Sequence, residues 1–266
     1  MIIAQISDTH IKTDSDTTAE RFTRAVEHLN GLPTLPDITI ITGDCVQNGT
    51  PQEYERFQSI ASQLRMPYYT IPGNHDNRVN FLKVFGSQGS QALEGFAQYV
   101  IDLDPVRLIA LDTNIPNSDA GDLCSTRLQW LEERLNEAPE RPTIIFMHHP
   151  PFLTGMQAFD EIGLSHEPEF GAIIKRNPQV ELITAGHIHL PMTRRYQGTL
   201  AMTCTTIQFS MLPDPQPPSH LMVRFEKYAT ALLHTWMPTI GLSTYPTSLE
   251  DESEVIVLHD GERWLA

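Results

Sequence analysis

The sequence predicts an α/β protein, on three observations. Short apolar, β-branched runs alternate with stretches whose apolar residues recur at helical spacing. Five of those runs end in a small cluster of Asp, Asn or His. Beyond residue 200 the pattern turns to strands alone.

The elements follow in order. Residues 2–6 (IIAQI) read as a buried strand that ends in Ser7-Asp8-Thr9-His10. Residues 18–30 carry Phe22, Val26 and Leu29 at helical spacing, with Gly31 as the stop. Residues 37–42 (DITIIT) form a strand closed by Gly43-Asp44. Thr50-Pro51 opens a helix whose apolar face is Tyr54, Phe57, Ile60, Ala61 and Leu64. Residues 67–71 form a strand closed by Pro72-Gly73-Asn74-His75-Asp76. Residues 107–112 (RLIALD) read as a strand, and residues 125–136 as a helix with Leu128, Leu131 and Leu135 inward. Residues 143–147 (TIIFM) form a strand closed by His148-His149-Pro150-Pro151, and a helix covers residues 167–176. Residues 180–184 form a strand closed by Gly186-His187-Ile188-His189. Strands are then expected over 200–209, 221–225 and 230–237, with a proline-rich loop at 212–218, an acidic tail at 248–254 and an edge strand at 255–258. The chain has no internal repeat.

Composition bounds the function. The chain has 266 residues, 40% of them hydrophobic, which is enough for a sizeable core. A net charge of -15 repels nucleic acid and anionic lipid, so a phosphate ligand needs a local positive centre. Bound metal ions supply one. Three cysteines, Cys45, Cys124 and Cys204, with no CxxC pair, indicate a reducing compartment. The N-terminus lacks a basic, apolar leader and no run is long enough to span a bilayer, so a cytoplasmic protein is expected.

Ligands of open α/β sheets gather at the carboxyl ends of strands. The five clusters, distant in sequence, are therefore expected to meet. That places Asp8 through His189 in one domain, and the chain reads as a single domain over 1–266, with 211–266 as C-terminal strands and a tail forming a cap or a dimer contact. Asp, His and one Asn make an oxygen-and-nitrogen donor set suited to Zn, Mn, Fe or Co. Residues two apart in extended chain face the same way, so Asp8 and His10 can share one ion while His187 and His189 divide between two.

In this order, D-x-H, G-D, G-N-H-D, H-H and G-H-x-H resemble the calcineurin-like metallophosphoesterase superfamily over residues 2–210. The resemblance implies a four-layer α-β-β-α sandwich of two β-sheets flanked by helices, with a binuclear metal centre. By position, Asp8, His10, Asp44 and His189 would hold one metal, and Asp44, Asn74, His148 and His187 the other, with Asp44 bridging. His75 would meet the reacting phosphate, with Asp76 orienting its ring, and Asn74, Arg78 and His149 would add substrate contacts. Ser7-Asp8-Thr9-His10, Gly43-Asp44-Cys45-Val46, the His-His-Pro-Pro stretch and Phe159-Asp160-Glu161-Ile162-Gly163-Leu164 further resemble the branch of class III cyclic-nucleotide phosphodiesterases and bacterial glycerophosphodiesterases. Cys45 and His166 depart from that pattern.

The implied activity is hydrolysis of small phosphodiesters, such as cyclic nucleotides or glycerophosphodiesters, by two ions that clamp a phosphoryl oxygen and acidify a water. The implied partners are that substrate and a second copy of the chain, with no nucleic acid polymer and no membrane. Each piece has a plainer alternative. Asp8-x-His10 alone is a loop end, Gly43-Asp44 a turn, and His148-His149 before two prolines a strand terminator. Cys45 reads as packing, and His28, His220, His234 and His259 as ordinary histidines. A phosphomonoesterase or phosphoprotein phosphatase of the same superfamily is the second reading, and a non-catalytic scaffold the third. Phosphatases of the superfamily carry extra cations, and only Arg78 stands near the motifs. Gln47 stands where an iron–phenolate enzyme would carry Tyr.

Overall fold

Two β-sheets stack face to face because their strands are apolar on both sides. The computed structural model describes residues 1–214, 222–225 and 230–248. In the first sheet, β1 (Ile2–Ile6), β2 (Ile38–Ile41) and β3 (Tyr68–Thr70) run parallel. Strand β4 is Tyr99–Asp102, β5 Arg107–Ala110, β6 Gly121–Asp122, β7 Thr143–Phe146, β8 Leu164–Ser165 and β9 Val180–Ala185. Strand β10 is Thr193–Tyr196, β11 Thr199–Thr203, β12 Ser210–Leu212, β13 Met222–Arg224, β14 Thr230–Met237 and β15 Gly241–Ser248. The first sheet has the order β15-β14-β1-β2-β3 and the second β10-β11-β9-β7-β5-β4, with small pairs β12-β13 and β6-β8.

The helices are α1 (Thr17–Gly31), α2 (Pro51–Ala61), α3 (Arg78–Phe85), α4 (Ser125–Asn136), α5 (Gln157–Glu161) and α6 (Glu167–Arg176). Helix α2 starts where the sequence signals it: Thr50 and Glu53 form a reciprocal capping box before Pro51. Between the sheets, Ile3, Ile38 and Ile40 meet Leu108, Ile144, Phe146 and Leu182. Outside the first sheet, Ala4, Ile6 and Ile41 meet Phe22 and Val26 of α1 and Tyr54 and Phe57 of α2. Outside the second, Ile109, Ile145 and Ile183 meet Leu128 and Leu131 of α4 and Phe170 and Ile173 of α6. The layers are helix, sheet, sheet, helix, as the resemblance implied. Strands covered on both faces need no alternation, which is why they read as continuous apolar runs.

The structure corrects several boundaries. The strand expected over 200–209 stops at Thr203; the segment to Phe209 is a loop whose side chains serve the site below. Strands β4, β6, β8, β10, β12 and β15 and helices α3 and α5 are not among the expected elements. Helix α3 has only eight residues, too few for its buried pair Phe81 and Phe85 to establish a period, and β10 (TRRY) is an edge strand with three exposed residues out of four, so it carries no apolar run. Nor do the strands after residue 211 all stand apart as a cap: β14 pairs antiparallel with β1 inside the first sheet. The proline-rich stretch beyond residue 214, His220, His259, the acidic tail beyond residue 248 and the strand at 255–258 lie outside the described residues.

Candidate metal centre

The five strand tips converge. Asp8 and His10 follow β1, Asp44 follows β2, the Gly73–Asp76 loop follows β3, His148 follows β7, and His187 and His189 follow β9. Asp8, His10, Asp44, His187 and His189 all have positive φ, between 44° and 70°. Such left-handed backbone costs a non-glycine residue about 1–3 kcal/mol and persists only where the surroundings enforce it. Here neighbouring tips enforce it: Asp8 N–H donates to Gly43 O at 3.1 Å, His10 N–H to Asp44 O at 2.9 Å, and Met211 N–H to His189 O at 3.0 Å. Gly73 is required by close approach. A Cβ there would strike the Asp44 carboxylate and sit 2.7 Å from His148 Nε2.

Four groups form the first donor cluster. Atoms of Asp8, His10, Asp44 and His189 lie within 4.8 Å of one another, all of them buried. His10 Nε2 faces His189 Nε2 at 3.2 Å, His189 Nε2 lies 3.2 Å from Asp8 Oδ1, and His10 Nε2 lies 3.6 Å from Asp44 Oδ2. On the other side, Asn74 Oδ1 is 3.0 Å from both His148 Nε2 and His187 Nδ1, and His148 Nε2 is 3.5 Å from Asp44 Oδ2. Asp44 thus touches both groups.

Burial works to raise the Asp44 carboxyl, but His148, and then His10, hold it well below the usual range. Asp8 is held down against burial mainly by His189. Burial drives the His10 imidazole down to about 4 against the pull of Asp44. Burial also drives His187 well down, with His149 and His148 adding to it. Two anionic carboxylates and the neutral imidazoles of His10 and His187 are therefore gathered with His148, His189 and Asn74 at distances of 3–4 Å. Without a cation between them these lone pairs repel, so the donor set fits a hard-to-borderline metal ion.

The structure revises three expected roles. Asp76 does not touch His75. Its Oδ2 accepts from Gly73 N–H at 2.8 Å and Cys45 N–H at 3.1 Å, and its Oδ1 from Tyr54 O–H at 2.9 Å. It braces the loop that carries Asn74 and His75. The His75 ring is oriented by Gln47 instead, with Nδ1 2.9 Å from the side-chain nitrogen and 3.0 Å from the carbonyl. Arg78 is held in an ion pair rather than presented free to a substrate. Its guanidinium donates to both Asp112 oxygens, at 2.7 and 3.2 Å, contacts the Asn114 carbonyl, and lies 4.9 Å from the Phe96 ring centroid. His149 is fully buried, with Nδ1 2.8 Å from Thr113 Oγ1 and Nε2 3.0 Å from the Asp119 carbonyl. Both nitrogens are engaged within the protein, although His149 forms with His148 and His187 a second buried group of possible ligands.

Other departures resolve plainly. Cys45 is buried with Sγ 3.0 Å from Thr70 Oγ1, which is packing. His166 pairs with Asp122 at 2.5 Å, apart from the donor clusters. Asn114 is a positioning residue that the sequence reading missed: its Nδ2 donates to Gly73 O at 2.6 Å and Asp76 O at 3.1 Å. The signal existed. The strand over 107–112 also ends in a polar cluster, Asp112-Thr113-Asn114, which is a sixth tip.

Beside His187 lies a cavity of 590 Å³, walled in part by Phe152, Phe159, Leu164 and Tyr196. That volume is in the range of small-molecule sites. A four-layer sandwich with Asp, Asn and His converging at its strand tips defines a metal-dependent hydrolase of phosphate esters. The calcineurin-like phosphoesterase family model matches residues 1–191, and the chain belongs to that family. It is 31% identical to a probable glycerophosphodiester phosphodiesterase GpdQ of Arcobacter nitrofigilis, over 92% of each chain. It is 27% identical to the 3′,5′-cyclic adenosine monophosphate phosphodiesterase CpdA of Escherichia coli, over 78% of this chain and 77% of that one. A dimetal phosphatase from Danio rerio shares the fold, with TM-score 0.66 and 13% identity over 94% of this chain and 98% of that one. Family and donor clusters together give the chain a divalent-metal centre. No helix among the described residues is long and apolar enough to cross a membrane.

Proposed function

We propose that the protein is a phosphodiesterase that hydrolyses small diesters, using two ions drawn from Mn, Fe, Zn or Co. Asp8, His10, Asp44 and His189 would hold one ion, and Asp44, Asn74, His148 and His187 the other, with Asp44 shared. The observation that carries the diester reading is the ion pair between Arg78 and Asp112. A phosphate monoester brings a second negative charge, and Arg78, the arginine that follows the Gly-Asn-His-Asp stretch, is already neutralised by a buried carboxylate. A singly charged diester needs no such cation, and the 590 Å³ cavity offers room for an esterified group.

When bound, the ions supply Lewis-acid polarisation of the phosphoryl oxygen and acidify water. The rest falls to this chain's own groups. His75 is half-buried beside the donors, its ring centroid 4.8 Å from that of His10, and its backbone N–H donates to Asp44 Oδ1 at 2.9 Å. In the tautomer whose Nδ1 accepts from the Gln47 side-chain N–H, the ring carries its proton on Nε2, where it can stabilise charge on the phosphate or protonate the leaving oxygen. Asp76, Tyr54 and Asn114 keep that loop fixed. The cysteines are free in the described residues, consistent with a cytoplasmic enzyme. Strand β15 is the outer strand of the first sheet and carries the exposed Tyr245, which supports self-association through this edge.

The test is a hydrolysis panel with manganese-loaded protein: bis(p-nitrophenyl) phosphate, p-nitrophenyl phosphate, cyclic AMP and glycerophosphodiesters. Faster turnover of the monoester than of every diester would establish the phosphatase reading instead. Elemental analysis finding fewer than two ions per chain would remove the binuclear assignment.

A further inference from the structure

The segment 206–211 leaves the second sheet, crosses to the strand tips and is pinned there. Thr206 Oγ1 donates to Asp8 O at 2.9 Å, Gln208 Nε2 to Thr9 O at 2.7 Å, and Arg21 to Gln208 O at 2.6 Å. These bonds hold the segment against the same backbone turns that aim Asp8 and His10. Between them stands Phe209. It is half-buried, and its ring centroid lies 4.6 Å from that of His189, tilted by 47°. Phe225, just past β13, lies 5.8 Å beyond it and is 72% exposed. The three rings form successive contacts from a donor-cluster imidazole to an exposed side chain.

Packing His189 would require only Phe209. Phe225 adds nothing to that support, yet it extends the aromatic surface outward, beside Met222 and Val223, which are also exposed. A large aromatic ring left in water is unfavourable unless something covers it. The position of the rings decides what covers them. Phe209 is in ring contact with His189 of the donor cluster, so an ester arm directed to that side of a phosphate held there would meet it.

We propose that Phe209, extended by Phe225, is a platform on which a planar aromatic arm of the diester stacks, making Phe209 a specificity-determining residue. The inference rests on the phosphodiesterase reading and narrows it. Diesters with an aryl or nucleobase arm are preferred over wholly aliphatic ones. The platform is preorganised by the hydrogen bonds of its own segment, so stacking does not require the loop to order first. The ring π-face is indifferent to substituents, so the two sources of a planar arm are separated by experiment.

The substitutions are Phe209→Leu, which keeps apolar bulk without the ring, and Phe209→Trp, which keeps a ring. Manganese-loaded enzyme is assayed on methyl phenyl phosphate, 3′,5′-cyclic AMP and glycerophosphoethanolamine. In Phe209→Leu the kcat/KM ratio of methyl phenyl phosphate to glycerophosphoethanolamine is expected to fall about tenfold, mostly through KM, and in Phe209→Trp to be largely restored. A parallel fall for cyclic AMP assigns the nucleobase as a source; a fall for the phenyl diester alone assigns an aryl arm. Calorimetric titration with phenylphosphonate and methylphosphonate gives a readout without turnover: only the phenyl ligand should weaken in Phe209→Leu. Equal changes for aromatic and aliphatic ligands, or none, would overturn the proposal, as would loss of bound metal in Phe209→Leu. A wild-type protein that turns over no diester defeats the phosphodiesterase reading, while the phosphonate comparison still decides the platform.

Discussion

The two halves of the donor set differ in charge. Asp8, His10, Asp44 and His189 include two carboxylates, whereas Asn74, His148 and His187 bring none of their own and lean on Asp44. The same contrast operates between neighbours. His148 and His149 are consecutive and both fully buried. Burial pulls the His148 imidazole down, yet the facing Asp44 carboxylate carries it up to about 9. Burial and then His148 itself push His149 down to about 3. Burial alone does not set the chemistry of a side chain here; the charge it faces does. A cation is expected to bind first and tighter in the carboxylate half.

Removing the shared carboxylate erases the contrast altogether. In Asp44→Ala both halves should lose their ion by elemental analysis, and turnover should fall roughly 10⁴-fold, several kcal/mol of lost stabilisation. Replacing Asn74 with Ala should instead lose one ion and keep the other; loss of both would refute the asymmetry. His75→Ala tests a group outside both halves. Metal content should stay at the wild-type value while kcat on an alkyl diester falls about 10²- to 10³-fold. Near-normal turnover removes His75 from the mechanism.

The pH dependence sharpens the comparison. In the metal-free protein His148 holds a proton below about 9, and a cation must displace it. Apparent affinity of the imidazole half should weaken about tenfold per pH unit below that value, read by chelator competition. A raised imidazole stabilises the metal-free fold fully below 6.5 and ceases to do so as pH rises through about 9. The chelated protein should therefore melt at a lower temperature at pH 10 than at pH 6, once other titrating groups are matched with a His148→Gln control. Gln47→Ala should lower kcat about three- to tenfold with metal retained, the worth of one hydrogen bond of 0.5–1.5 kcal/mol. Arg78→Ala should change KM for a diester by less than about twofold. It should nonetheless cost about 3–5 kcal/mol in denaturant titration, because the buried Asp112 charge loses its ion-pair partner and keeps only the Ala97 and Asn114 N–H groups.

The sequence shows the centre more clearly than its supports. Ligand candidates are legible because metal chemistry demands particular side chains at strand ends, and β1, β2 and β7 are buried on both faces and read as apolar runs. The wrong inferences concern side chains that any environment could use. The resemblance places Asp76 on the His75 ring, but its carboxylate braces Gly73, Cys45 and Tyr54, and Gln47 reaches the ring from another strand tip. Arg78 looked free because its partner Asp112 is 34 residues away. The loop of Thr206 and Gln208 looked like a continued strand because polar, β-branched residues suit both; only its hydrogen bonds to the Asp8 and Thr9 carbonyls distinguish them.

Strand β14 has a consequence for how the chain is made. It pairs Thr235, His234, Leu233 and Leu232 with residues 2–5 of β1, more than 220 positions earlier in the sequence. During translation the opening strand emerges first and waits, one flank unzipped, until nearly the whole polypeptide has left the ribosome. Nascent chains stalled before residue 230 should accordingly recruit chaperones, and release of the last strands should free them.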